Sequence, residues 1–159
     1  VIDYDKARKA LEALKKRHLT LGAVESLTGG LFSASLCAIP GASKVYYGSL
    51  VTYNAKEKAN LLGIPPKLIE RFGIVSQHVA NAMAGEGRKK LGVDVCVSFT
   101  GNAGPTAEAG GAPVGRVHMA IATRYGHVEI QKDFALSRNE IREACVETML
   151  DELIAIYEP

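Results

Sequence analysis

Leu19-Thr-Leu-Gly-Ala-Val24-Glu25-Ser26-Leu27-Thr28-Gly29-Gly30-Leu31-Phe32 contains the transition that decides the fold. Its apolar first part, 19–24, has strand character, and 31–38 continues as a helix. Between them lies a hydroxyl-rich turn with two glycines. A strand passing directly into a helix is the repeating step of α/β architectures. Such a turn leaves backbone N–H groups unpaired at the helix N-terminus, where an oxyanion or a phosphate can be held. Ser26 stands where a nucleophile would stand, although serine before a helix is also an ordinary cap, and the motif is not the G-x-S-x-G elbow. Thr28-Gly29-Gly30 equally fits phosphate binding without chemistry, but lacks the Walker-A lysine and the spacing of a dinucleotide fingerprint.

Outward from this stretch, 3–17 reads as a helix: Ala7, Ala10, Leu11 and Leu14 recur at helical spacing and Lys15, Lys16 and Arg17 suit its C-terminal end. Ile39-Pro40-Gly41-Ala42-Ser43 turns the chain into a β-branched and aromatic strand, 44–53. Asn54 caps a short helix with Glu57 three residues on, and Gly63 ends it. A further short helix, 66–72, precedes one capped by Ser76, in which Val79, Ala80, Met83, Ala84, Gly87 and Leu91 share a face. The apolar run 93–99 reads as a buried strand that empties into the loop 100–113. Segments 114–123 and 127–136 form a hairpin pair, and Ser137 with Glu140 opens the last helix as a capping box. The pattern predicts a single domain over 1–159, a three-layer α/β/α arrangement with a mixed, mostly parallel sheet. If the strands ending at Glu25, Tyr53 and Phe99 are parallel neighbours, their polar loops converge on the sheet edge where ligands of open α/β sheets bind.

Composition sets the class. Of 159 residues, 47% are hydrophobic and 23% charged, ordinary values for a globular domain. A formal charge of +2 argues against nucleic acid or a membrane surface as the main partner. No apolar run approaches bilayer-spanning length, and Val-Ile-Asp-Tyr-Asp-Lys lacks the regions of a signal peptide, so a cytoplasmic location is expected. Cys37, Cys96 and Cys145 lie far apart in apolar stretches, which predicts buried free thiols. No Cys or His pair has ligand spacing, so no metal is expected.

For Ser26 to act, something must take its proton. His18, His78, His118 and His127 fall in or beside helices and in hairpin strands, where structural or surface roles are the ordinary outcome. A neutral lysine can replace histidine as base. With Asn54 as N-cap, Tyr53 is N′ and Lys58 is N4, positions whose side chains meet in staple geometry. Lys58 then sits in the first helical turn, where the dipole disfavours an ammonium, and burial lowers its pKa further. The competing reading is a solvated helix lysine like Lys56.

Glu25-Ser26-Leu-Thr-Gly-Gly30, Pro40-Gly41-Ala-Ser43, Tyr53-Asn-Ala-Lys-Glu-Lys58, Leu62-Gly-Ile-Pro65, Gly73-Ile-Val-Ser76, Thr100-Gly-Asn-Ala-Gly-Pro105 and Pro113-Val-Gly115 occur in an order found in one family. The whole resembles the CinA C-terminal domain family, the nicotinamide-mononucleotide amidohydrolases, in its stand-alone form. The resemblance implies hydrolysis of the carboxamide of nicotinamide mononucleotide, a small-molecule nucleotide, to nicotinate mononucleotide and ammonia, with no cofactor or metal. Ser26 matches the family's nucleophile, Lys58 its general base and Tyr53 the tyrosine beside them. Thr100 and Gly101 fall in the second polar loop lining the pocket. Substrate phosphate would be held by the Thr28-Gly29-Gly30 helix start or by Arg138. Family habit and the small-residue helix 77–91 point to a homo-oligomer. The chain departs from the family pattern at Asn102, usually aliphatic, at the longer loop after Pro105, and at Ala112, commonly lysine. Those departures favour the alternative of a non-catalytic nucleotide-binding or competence-associated module on the same fold.

Overall fold

A computed structural model of the chain describes residues 1–107 and 111–158. Among the described residues six α-helices surround one five-stranded sheet: α1 Tyr4–Lys16, β1 Leu21–Glu25, α2 Leu31–Cys37, β2 Tyr46–Val51, α3 Ala55–Leu62, α4 Pro66–Phe72, α5 Gln77–Leu91, β3 Val95–Gly101, β4 Arg116–Thr123, β5 Gly126–Asp133 and α6 Arg138–Tyr157. The strand order is β2-β1-β3-β4-β5. The core β2-β1-β3 is parallel, and β4 and β5 continue it antiparallel as the expected hairpin. The loops after β1, β2 and β3 therefore do meet at one sheet edge.

Alternation along the strands assigns the layers. Leu21 and Ala23 of β1, Val95, Val97 and Phe99 of β3, and Val117, Met119 and Ile121 of β4 face α1, α2 and α6, where Leu14, Phe32, Ile141 and Met149 complete the main core. Their neighbours Val24 and Cys96 face α5 and the short helices, packing with Leu62, Ile64, Val79 and Met83. On this second face α5 lies unusually close to the sheet. Ala80 and Ala84 pack on Ala120 and Ala122. A Cβ on Gly87 would stand 2.2 Å from Val24 Cγ2, so no side chain fits there.

The parallel strands start later than the apolar runs. Thr20 and Asp94 lock onto each other just before β1 and β3: the Thr20 N–H donates to Asp94 Oδ2 at 2.8 Å and the Asp94 N–H to Thr20 Oγ1 at 3.0 Å. These side-chain bonds take the place of ladder bonds there, so 19 and 93 lie outside the strands. Residues 44–53 likewise lose their start to a 3-10 turn, Ala42–Lys44. Among the thiols, Cys96 and Cys145 are buried as expected, but Cys37 is exposed at the end of α2. No helix of the described residues is long and apolar enough to cross a membrane. The part of the extended loop at 108–110, and position 159, lie outside the described residues.

Candidate active site

The turn after β1 carries two consecutive residues whose side chains leave on opposite faces. Glu25 goes to the α2 side, and Ser26 to the α3 side. Glu25 is fully buried. Its Oε1 accepts from the N–H groups of Gly30 (3.2 Å) and Phe32 (3.0 Å), and its Oε2 from the Ser33 N–H (3.2 Å) and the Ser49 hydroxyl (2.9 Å). The N-terminus of α2 thus already holds an anion, and that anion belongs to the protein. Gly30, at φ 103°, supplies the left-handed bend that brings these amides round. The Gly29 N–H is also taken, by the Ser26 carbonyl at 3.0 Å. The expectation that Gly29 and Gly30 offer free donors to a substrate is therefore not met. The donors left in this turn are the Leu27 and Thr28 N–H groups, which have no partner among the described residues. Thr28 is buried, and its Oγ1 has no partner among the described residues.

Ser26 is held by its N–H, which donates to the Phe99 carbonyl at 3.1 Å. Opposite its hydroxyl stands Lys58. Asn54 caps α3 by accepting from the Glu57 N–H at 2.9 Å, which places Lys58 at the fourth helical position, turned inward. The Lys58 side chain is fully buried. Its Nζ lies 2.9 Å from Ser26 Oγ and donates to the Thr52 carbonyl at 2.6 Å. No carboxylate pairs with it among the described residues. Desolvation pulls its pKa from 10.5 down to about 8. In the ammonium form Nζ donates to Ser26 Oγ, and the Ser26 hydroxyl donates to the Tyr53 carbonyl at 3.4 Å. Once Nζ is neutral its lone pair can accept the Ser26 proton, while the bond to Thr52 still fixes its position.

Tyr53 departs from the staple expectation. Its side chain is 56% exposed, and its hydroxyl accepts from Arg138 Nη2 at 2.8 Å instead of meeting Lys58. Arg138 Nη1 donates to the Gly104 carbonyl at 2.7 Å, so one guanidinium bridges the loops after β2 and β3. The Thr100 hydroxyl donates to the Ile74 carbonyl at 2.8 Å and pins the segment before α5 over the site. Gly101 has no room for a side chain, because a Cβ would lie 2.8 Å from Val117 Cγ2. Ser26, Tyr53, Thr100, Asn102 and Arg138 line a cavity of about 210 Å³. Ile74, Val75, Gly101, Asn102 and Arg138 also border a larger cleft of about 810 Å³, which runs toward Gln77, Arg116 and His118. Asn102 ties the intervening loop, its Nδ2 donating to the Ala112 carbonyl at 3.1 Å and its Oδ1 accepting from the Gly104 N–H at 3.0 Å.

Two contributors escaped the sequence. Glu25 had a local signal: an acidic residue ending an apolar strand, a few residues before unpaired amides. Arg142 had none. From α6 it donates through Nε to the Leu27 carbonyl (2.9 Å) and through Nη2 to the Thr28 carbonyl (3.0 Å), a contact 115 residues away in the chain. No group of His, Cys, Asp and Glu suited to a metal ion occurs among the described residues.

Known proteins are similar to this chain in sequence and fold. The chain is 45% identical over 123 residues to a putative competence-damage inducible protein of Limosilactobacillus fermentum, covering 77% of this chain and 30% of that protein. It spans less than a third of the length of such curated relatives. Its fold superposes with a TM-score of 0.94 on the crystal structure of a competence or damage-inducible protein from Enterobacter asburiae, at 29% identity and covering 99% of both chains. A competence/damage inducible protein from Agrobacterium tumefaciens gives 0.91 at 32% identity, covering 98% of this chain and 97% of that one. The family model described as the CinA C-terminal domain matches residues 3–157, from the first helix to the last, and the chain belongs to that family.

Proposed function

We propose that the chain is a hydrolase that deamidates nicotinamide mononucleotide, with Ser26 as nucleophile and Lys58 as general base. The observation that carries this reading is the buried, carboxylate-free amine of Lys58 at 2.9 Å from Ser26 Oγ. A lysine so placed costs folding energy and gains nothing from an ion pair, which is the signature of a group kept for its basicity.

Neutral Lys58 takes the Ser26 proton as Oγ attacks the carboxamide carbon. The tetrahedral oxyanion is met by the Leu27 and Thr28 N–H groups; Arg142, bonded to the Leu27 carbonyl, fixes the peptide plane that carries the Thr28 N–H, and the Gly29 N–H, bonded to the Ser26 carbonyl, fixes the plane that carries the Leu27 N–H. Lys58 then returns the proton to the departing nitrogen, and ammonia leaves. Water, activated by the again neutral Lys58, cleaves the ester and releases the carboxylate. The pyridinium ring of the substrate withdraws electrons from its amide, which lowers the demand on the protein. Arg138, with N–H groups beyond the two it spends on Gly104 and Tyr53, supports binding of the anionic end.

The test is ammonia release from nicotinamide mononucleotide by the purified chain. Turnover is expected to fall by about a thousandfold or more in Ser26→Ala and in Lys58→Met, with circular dichroism unchanged. In the unaltered chain kcat/KM should rise about tenfold per pH unit and level near the Lys58 pKa of about 8. Turnover unchanged from the parent in both variants, or a profile flat from pH 6 to 9, overturns the assignment.

A further inference from the structure

The larger cleft ends at His118, and the chemistry of that residue is set by a chain of side chains running to the surface. Glu129 begins it. Its carboxylate only accepts, so the group of Asn81 lying 2.6 Å from Oε2 is the Nδ2 donor. Asn81 therefore turns Oδ1 toward Gln77, whose Nε2 donates to it at 3.0 Å and to the Met119 carbonyl at 2.9 Å. Both Nε2 protons of Gln77 are then used, and Oε1 is the atom facing His118 Nδ1 at 3.2 Å. Since an amide oxygen cannot donate, Nδ1 must carry the proton. His118 is 8% exposed and borders the cleft, and its Nε2 has no partner among the described residues. Burial, and secondarily the Arg116 charge, lower its pKa, against a smaller opposing pull from Asp133. Arg116 is itself paired with Asp133 at 2.9 Å. At neutral pH the ring thus presents a bare lone pair to the cleft.

A histidine in a cleft lined by two arginines invites assignment to phosphate, but a phosphate oxygen would meet Nε2 lone pair against lone pair. The group that fits is a donor. Its position follows from the sheet. Ser98 and Thr100 of β3 face the α5 side, bonding the Ala80 and Ile74 carbonyls. His118 pairs with Thr100 across β3 and β4 and lies on the same face as Ala120 and Ala122. Ser26, Thr100 and His118 thus form a row across three adjacent strands. Two strand spacings separate its ends, roughly 10 Å. In a pyridine nucleotide the reacting amide and the sugar hydroxyls are held apart by the ring and the glycosidic bond, a separation of that order.

We infer that His118 Nε2 accepts a hydrogen bond from a ribose hydroxyl of the nucleotide, making His118 a specificity-determining residue and Gln77, Asn81 and Glu129 its positioning residues. The inference rests on the nucleotide reading of the site but not on turnover. Binding is measured by calorimetry on Ser26→Ala, with nicotinamide mononucleotide and its 2′-deoxy and 3′-deoxy forms. One deoxy form is expected to bind about tenfold more weakly than the parent. In Ser26→Ala/His118→Phe the parent should lose the same factor, and the deoxy form nothing further. Equal binding of all three nucleotides, binding of none, or a deoxy penalty that survives His118→Phe overturns the assignment. The comparison among ligands needs no change at 118, so equal binding of the three overturns the assignment even if His118→Phe does not fold. Ammonia release is followed in parallel on the unaltered chain. Hydroxyl discrimination without hydrolysis would remove the amidohydrolase reading and leave the role of His118 standing.

Discussion

Two strand-to-helix turns lie side by side at one sheet edge, β1 into α2 and β2 into α3, and they treat charge in opposite ways. The first buries a carboxylate against a helix N-terminus, with three backbone amides and a hydroxyl directed at it. The second caps its helix with neutral Asn54 and buries an amine in the opening turn, where the helix dipole and desolvation both oppose an ammonium. One turn is built to hold a charge and the other to shed one. The proposed nucleophile belongs to the stable turn and its proposed base to the uncomfortable one, the division that Ser–Lys chemistry requires.

The strongest way to break this contrast is at Glu25. Glu25→Ala leaves the α2 amides buried without an acceptor, and urea unfolding should show a loss of about 3 kcal/mol or more. A loss below about 1 kcal/mol would mean that water replaces the carboxylate and that the anion is not structural. Lys58→Met probes the other turn with the opposite sign. The Lys58 pKa is lowered from 10.5 to about 8, so below about 8 both folded and unfolded chains carry the proton and the burial cost is fully present. Between the two values only the unfolded chain keeps it, and native stability recovers as pH rises. Lys58→Met should therefore be more stable than the parent at pH 7, by up to about 3 kcal/mol, with the gain fading toward pH 10.5. A pH-independent difference refutes the desolvation account. The smallest effect is expected for Tyr53→Phe. Its hydroxyl touches Arg138 and not Lys58, so KM should rise severalfold while kcat holds. A collapse of kcat would return Tyr53 to the proton path.

Much of this was legible from local pattern. The β1–α2 transition and the Ser76 cap follow from periodicity and capping chemistry, which act within a few residues, whereas spacing alone left Lys58 open to a solvated position. The resemblance to the CinA C-terminal domain family, and with it the candidate nucleophile and base, rested on short motifs intact in the chain. What could not be read was how adjacent positions divide between faces and what distant segments bring. Glycines next to Ser26 look like a ligand cradle until Glu25, on the opposite face, is seen to fill it. Tyr53 looks like a partner for Lys58 until Arg138, 85 residues on, takes its hydroxyl. Strand ends were overestimated where Thr20 and Asp94 substitute side-chain bonds for the ladder. The Tyr53 and Thr20 misses are long-range contacts overriding a sound local expectation, while the Glu25 miss is a local contact hidden by the division of adjacent residues between faces.

The close seating of α5 has a consequence for how this site can change. With Gly87 against Val24, and alanines on either side of the contact at Ala80 and Ala120, the helix has almost no clearance above the sheet. Its opening residue, Gln77, orients His118 from ten positions before Gly87, about 15 Å along the axis. The layer behaves as a lever resting on a thin shim. A methyl group added at Gly87 would tilt the far end and turn the imidazole, so the recognition of ligand can be retuned by residues that never approach it.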